Sequence, residues 1–142
     1  MHIALRTAIF VFLMAPFVTS AAADDLRGWF TEGCGYSSFH FAGVAELGAA
    51  TDLVVHVGLG YPGPGLGPIV DVASETWLDV SAERCASSSQ CERIQRAKIW
   101  FQPAHGNFKH LTGKLSFDLG AQQIERDFVA RRRKAKPVPR CE

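Results

Sequence analysis

Two kinds of side chain in this sequence stand at spacings that chemistry could use: four cysteines, at 34, 85, 91 and 141, and the histidines His40, His56, His105 and His110. Cys85 and Cys91 enclose Ala-Ser-Ser-Ser-Gln, a small, polar, turn-prone connection. That spacing predicts a Cys85–Cys91 disulfide and leaves Cys34 to pair with Cys141, with a crossed pairing as the alternative. Closing the long loop between Cys34 and Cys141 is worth roughly 4–5 kcal/mol in the chain-entropy picture. A structural zinc site needs a second close pair of ligands, which C-x5-C alone does not supply. Once oxidised, the cysteines leave no thiolate to act as a nucleophile.

His105 and His110 bracket Gly106-Asn107-Phe108-Lys109 between two strand-like runs. No third ligand stands at a diagnostic distance, so neither metal nor any other cofactor is expected. His40 and His56 fall inside strand-like runs, where structural roles are commoner than catalytic ones. As a general base, His105 or His110 helped by Asp118 or Glu92 would make the chain a small cell-envelope hydrolase. Against that reading, G-x-S-x-G, G-x-x-x-x-G-K-[ST], G-x-G-x-x-G and H-E-x-x-H are all absent. Gly60 to Gly67 is glycine-rich, but its prolines remove the amides that a phosphate cradle uses. No catalytic residue is assigned, and the chain reads as a non-enzyme.

Binding chemistry is better represented. Tyr61-Pro-Gly-Pro-Gly-Leu66-Gly-Pro cannot form regular structure and predicts an exposed loop, with Tyr61 and Leu66 as contact residues. Trp77 and Trp100 alternate out of phase with the apolar positions of their strands, so they face outward as a stacking platform for a sugar or a partner's apolar group. Trp29 and Tyr36 carry no independent signal. The tail holds Arg131, Arg132, Arg133, Lys134, Lys136 and Arg140, a cluster suited to phosphate, sulfate or anionic lipid headgroups. Nucleic acid is disfavoured, because no aromatics interleave with these bases.

The elements that must position these groups read as strands. Ser38 to Phe41 alternates, with a continuation toward Glu46 and a turn at Leu47 to Ala50. Thr51 to Gly58 is β-branched and apolar on both faces, as a central strand requires. A helix across Phe41 to Ala50 is the rival there, weakened by Gly43 and Gly48. Ile69 to Val80 places Thr76, Leu78 and Val80 on one face. Ala97 to Gln102 places Ile99 and Phe101 inward, and Lys114 to Leu119 is a one-sided strand. Gly120 to Gln122 reads as a hairpin connection, with Ile124, Phe128 and Ala130 returning beyond it. Arg131-Arg132-Arg133 puts charge on both faces, so the strand is expected to leave the sheet there. The fold class is therefore all-β: a small antiparallel sandwich or partly open barrel of about six to eight strands, stapled by two disulfides.

The N-terminus supplies the compartment. Arg6 precedes an apolar run from Ala8 to Val18, followed by Thr19-Ser20-Ala21-Ala22-Ala23 and the acidic pair Asp24-Asp25. This is the layout of a cleavable signal peptide over 1–23, and the run is too short for a bilayer span. Residues 24–142 form one domain, secreted or periplasmic, in which disulfides persist. Charge is divided along it: residues 24–83 carry nine acids against one base, and 84–142 carry thirteen bases against five acids. The two segments are expected to pack together and neutralise each other. The leading functional reading is a non-catalytic binding or interaction protein of unspecified ligand, its partner an envelope protein, glycan or anionic lipid. A structural envelope protein docked on an anionic surface through its tail is the third reading, after the hydrolase.

Overall fold

The computed structural model describes residues 24–58, 76–103, 109–134 and 140. The expected signal segment 1–23, Tyr61, Leu66, His105, Lys136 and Cys141 lie outside them. Eight strands follow in chain order: β1 (Leu26–Glu32), β2 (Tyr36–Phe41), β3 (Asp52–Gly58), β4 (Leu78–Asp79), β5 (Ser81–Ser87), β6 (Gln90–Phe101), β7 (His110–Leu119) and β8 (Gln122–Arg132). A 3₁₀ turn, Ala45–Leu47, lies between β2 and β3, so the β2 strand stops at Phe41 rather than continuing toward Glu46.

Seven strands close on themselves in the order β6-β5-β3-β2-β1-β8-β7, with β7 returning to β6, and β4 adds to β6 beside β5. The expected antiparallel sandwich or partly open barrel is corrected on two counts. The barrel is closed, and it is mixed, because β1 pairs with β8 in parallel, Leu26 beside Phe128 through Phe30 beside Arg132. The strand that closes it is hidden in the sequence. Leu26 and Phe30 point inward, but Gly28 stands between them while Trp29 points out, which inverts the apparent alternation.

Other local corrections have similar causes. The segment around the cysteines is not a connection between separate strands. β5 and β6 run through it as a hairpin, and Cys85 and Cys91 are directly opposed and disulfide-bonded, with Cα atoms 4.1 Å apart. Cys34 is not a free thiol, and its expected partner Cys141 lies outside the described residues. β6 begins before Ala97 and reaches its full length through a bulge. Arg96 takes φ 52°, and Gln95 to Lys98 faces only Asp118 to Ser116 on β7. An extra residue of this kind bends a strand and sharpens its twist, as barrel closure requires. β8 also continues through Arg131 and Arg132 instead of leaving the sheet.

The inside of the barrel is filled by side chains. Phe30, Phe39, Phe41, Phe101, Phe117 and Phe128 are all fully buried, with Leu53, Val55, Ile99, Leu111 and Leu115 packed among them. Phe39 is the hub: its ring centroid lies 5.1 Å from Phe30, 5.7 Å from Phe101 and 6.1 Å from Phe128. Offset and edge-on pairs at such separations add about 0.5–1.5 kcal/mol each beyond area burial.

Closing seven strands around rings of this size brings backbones close at two glycines. A Cβ on Gly28 would collide with the His40 carbonyl, and one on Gly113 with the Trp100 carbonyl. Neither neighbour can rotate away, since both are main-chain atoms of a paired strand. Gly113→Ala should therefore lower stability by about 1–3 kcal/mol, the usual range for overpacking. Gly58→Ala, where the added methyl meets open space, should stay within about 0.5 kcal/mol. Urea unfolding of the two variants checks the contrast, and equal midpoints would show that the strands do not approach as described.

Candidate functional site

Strand direction sorts the connections between two ends of the barrel. β1, β3, β6 and β8 finish at one end, where β2, β4 and β7 begin. We call this the tail rim. It carries the β1–β2 turn, the ends of the β3–β4 and β6–β7 connections, and the chain beyond Arg132. The opposite rim carries Asp24 and Asp25, the 3₁₀ turn, and the hairpins at Ser88-Ser89 and Gly120-Ala121.

The tail rim gathers the basic residues. His110 pairs with Arg131 across β7 and β8, and the Arg132 amide donates to the Lys109 carbonyl at 2.8 Å. These bonds set Lys109, His110, Arg131, Arg132 and Lys134 around one cleft of about 410 Å³. Arg132 is answered by Glu32 at 2.9 Å. Among the described residues, His110, Arg131 and Lys134 have no acidic partner. Of the tail residues expected to bind anions, Arg131, Arg132 and Lys134 are thus brought together, Arg140 is exposed elsewhere in the described chain, and Arg133 turns to another task. Sequence reasoning passed over Lys109 as a contributor, because only the β7–β8 register places it beside the tail.

Arg133 belongs to a stack on the outside of β1 and β2. Its amide donates to the Phe30 carbonyl at 2.8 Å, and its guanidinium carbon stands 4.6 Å from the Trp29 ring centre. The Trp29 indole is stacked on His40, centroids 3.9 Å apart and planes within 9°. One row further, Ser38 Oγ and His56 Nδ1 are hydrogen-bonded at 2.9 Å, with Tyr36 edge-on to His56. Burial depresses the His40 pKa from its ordinary value, and the neighbouring His56 and Arg133 charges depress it further against an opposing pull from Asp52. Trp29 carried no separate signal in the sequence, and His40 read as a strand histidine with a structural or surface role. They meet only because β1 pairs with β2 at Trp29 and His40.

The tryptophans expected to face outward do so. Trp77 is 37% exposed, and Trp100 is half-buried between the inward Ile99 and Phe101. Leu78 pairs with Ile99, so Trp77 and Trp100 occupy neighbouring positions one residue nearer the tail rim. Trp100 also lines a shallow groove of about 310 Å³ with Gln102, Thr112 and Lys114.

The hydrolytic arrangement is not assembled from its described members. His110 starts β7 at the tail rim, and Asp118 lies eight residues further along the same strand, roughly 26 Å at the usual rise. Asp118 faces Arg96, and Glu92 is bound to Arg84 near the opposite rim. His105 lies outside the described residues. Glu83, Cys85 and Cys91 hold three potential metal-ligand atoms within 4.8 Å of one another, but both sulfurs are committed to the disulfide.

Compared with protein-family models, curated proteins and solved structures, the chain matches none.

The His40 environment sets a pH dependence. With its folded pKa below the ordinary 6.5, the unfolded chain takes up this proton first as pH falls. Stability from this group is complete above about pH 7 and is lost as pH drops from 6.5 through the lowered folded value. Thermal unfolding between pH 7.5 and 5 should show a steeper decline for the wild type than for His40→Phe, which keeps a ring against Trp29 but does not titrate. Parallel declines would assign the acid sensitivity elsewhere.

Proposed function

We propose that the protein is a non-catalytic binding module that works outside the cytoplasm and takes an anionic glycan at the tail rim. The observation that carries this reading is the cleft that His110, Arg131 and Lys134 line together, none of them ion-paired to an acid among the described residues. Cations held together by strand register are pre-organised for an anion, and Arg supplies a planar fork suited to sulfate, phosphate or carboxylate. The barrel interior is packed with phenylalanine, so a ligand has only the outer surface and the rims to meet.

A glycan is favoured over a lipid surface because the basic groups line a concavity. The export reading rests on the leader-like residues 1–23, and the Cys85–Cys91 disulfide is in keeping with an oxidising compartment.

Dextran sulfate, neutral dextran and phosphatidylglycerol vesicles are suitable probes in titration calorimetry. Dextran sulfate should bind with an affinity that falls steeply with salt, and neutral dextran should not bind. Arg131→Glu combined with Lys134→Glu should weaken the sulfated polymer at least about tenfold, equivalent to 1.4 kcal/mol. Capture of vesicles in preference to dextran sulfate would replace the glycan with a lipid surface. Unchanged affinity in the double variant would remove the cleft from the account.

A further inference from the structure

The opposite rim carries a broad cleft lined by three acids, Asp24, Asp25 and Glu46, and two bases, Arg27 and Arg126. Its centre is an ion pair unlike the other surface pairs, because it is largely withdrawn from water. Arg126 is 11% and Glu46 25% exposed, and Arg126 Nη1 donates to Glu46 Oε1 at 2.6 Å. The second terminal nitrogen of the same guanidinium donates to the Asp24 carbonyl. One arginine thus ties the first described residue to the turn between β2 and β3.

Two observations leave this arrangement unfinished. Glu46 Oε2 is buried with no hydrogen-bond donor among the described residues. An orphaned buried acceptor costs about 1–3 kcal/mol, and more when it is charged. The cleft also holds three negative groups against two positive ones. Both deficits would be met by one additional cation close to Asp24.

We infer that removal of the leader creates that cation: the α-ammonium of Asp24 docks in this cleft and donates to Glu46 Oε2. The inference rests on the reading of residues 1–23 as a signal peptide that ends at Ala23. Hydrolysis of the Ala23–Asp24 peptide bond by an export-linked endopeptidase consumes one water. Ala23 leaves with a carboxylate, and the Asp24 nitrogen becomes an amine that is protonated at neutral pH. Before cleavage the same nitrogen is an uncharged amide. Its distance from the Asp24 carbonyl is fixed by one residue's geometry at about 3–4 Å, and Arg126 already holds that carbonyl beside the Glu46 carboxylate. Processing therefore balances the cleft at three charges of each sign and completes the Glu46 hydrogen bonds. Export and final stabilisation become one event.

The test uses the full chain exported from a host that processes leaders, alongside a chain identical except for Gly-Ser placed before Asp24. Intact mass should show the exported protein beginning at Asp24. The extended chain should melt roughly 3–6 °C lower, as expected for loss of one partly buried charge pair in a chain of this size. In a Glu46→Gln background the two should melt within about 1 °C of each other. The docked α-amine should also acylate at least about tenfold more slowly at pH 7 than the extended one, a readout that needs no Glu46 variant. Equal melting and equal acylation, with the mass beginning at Asp24, would overturn the docking alone. A mass beginning at another residue would overturn the cleavage position as well, and neither result bears on anion binding at the tail rim.

Discussion

The packing of phenylalanine rings around Phe39 is the constraint on which the rest of the molecule depends. Seven strands can enclose a ligand chamber or a solid core, and the choice follows from what points inward. Here Phe30, Phe39, Phe41, Phe101, Phe117 and Phe128 occupy the centre. The strands must coil tightly around them, and Gly28, Gly113 and the Arg96 bulge permit that. A filled barrel is a rigid mount and not a container. Charge and exposed aromatic surface are left to the rims and the outer face, where they do not compete with the core.

Charge follows the same architecture. The acidic first part of the domain and the basic second part do meet. Glu32 with Arg132, Glu46 with Arg126 and Asp79 with Lys98 join one to the other across the barrel. Such pairs are worth little when fully exposed, and the Asp79–Lys98 pair is of that kind. Among the described residues the two rims differ in what is left over: the tail-rim cleft is lined by cations beside β7 and β8, and the far cleft by three acids and two bases around Arg126.

The parts of the fold legible in the sequence are those in which one residue row decides the pattern. Leu115, Phe117 and Leu119 alternate with polar residues, so β7 could be placed from its own residues. β3 declared itself through β-branched residues, and the Cys85–Cys91 spacing announced the disulfide though not the β5–β6 hairpin that carries it. What escaped notice required two segments to be known together. β1 is masked by an inward glycine and an outward tryptophan, and the Arg96 bulge shifts the β6 pattern by one residue midway. Closure depends on a parallel pairing between residues about a hundred positions apart, for which no local signal exists. The candidate site divides in the same way. The tail arginines were visible as a run, whereas Lys109 joins them through strand register alone.

The seam that closes the barrel is also the seam that builds the basic cleft. β1 lies beside β8, which places Arg131 next to Trp29, Arg132 within reach of Glu32, and the Arg133 amide on the Phe30 carbonyl. Three consecutive arginines are thereby sent in three directions: one into the cleft, one to an acid on the neighbouring strand, one over an indole. Had β8 ended where its charges begin, the tail would be a mobile polycation whose side chains share no geometry. Because main-chain bonds continue through Arg133, the Arg131 position is fixed by the same interactions that hold the first strand to the last. The cleft around Arg131 and the Leu26, Phe30 and Phe128 part of the core therefore share a single strand pairing, and loosening that pairing disturbs both.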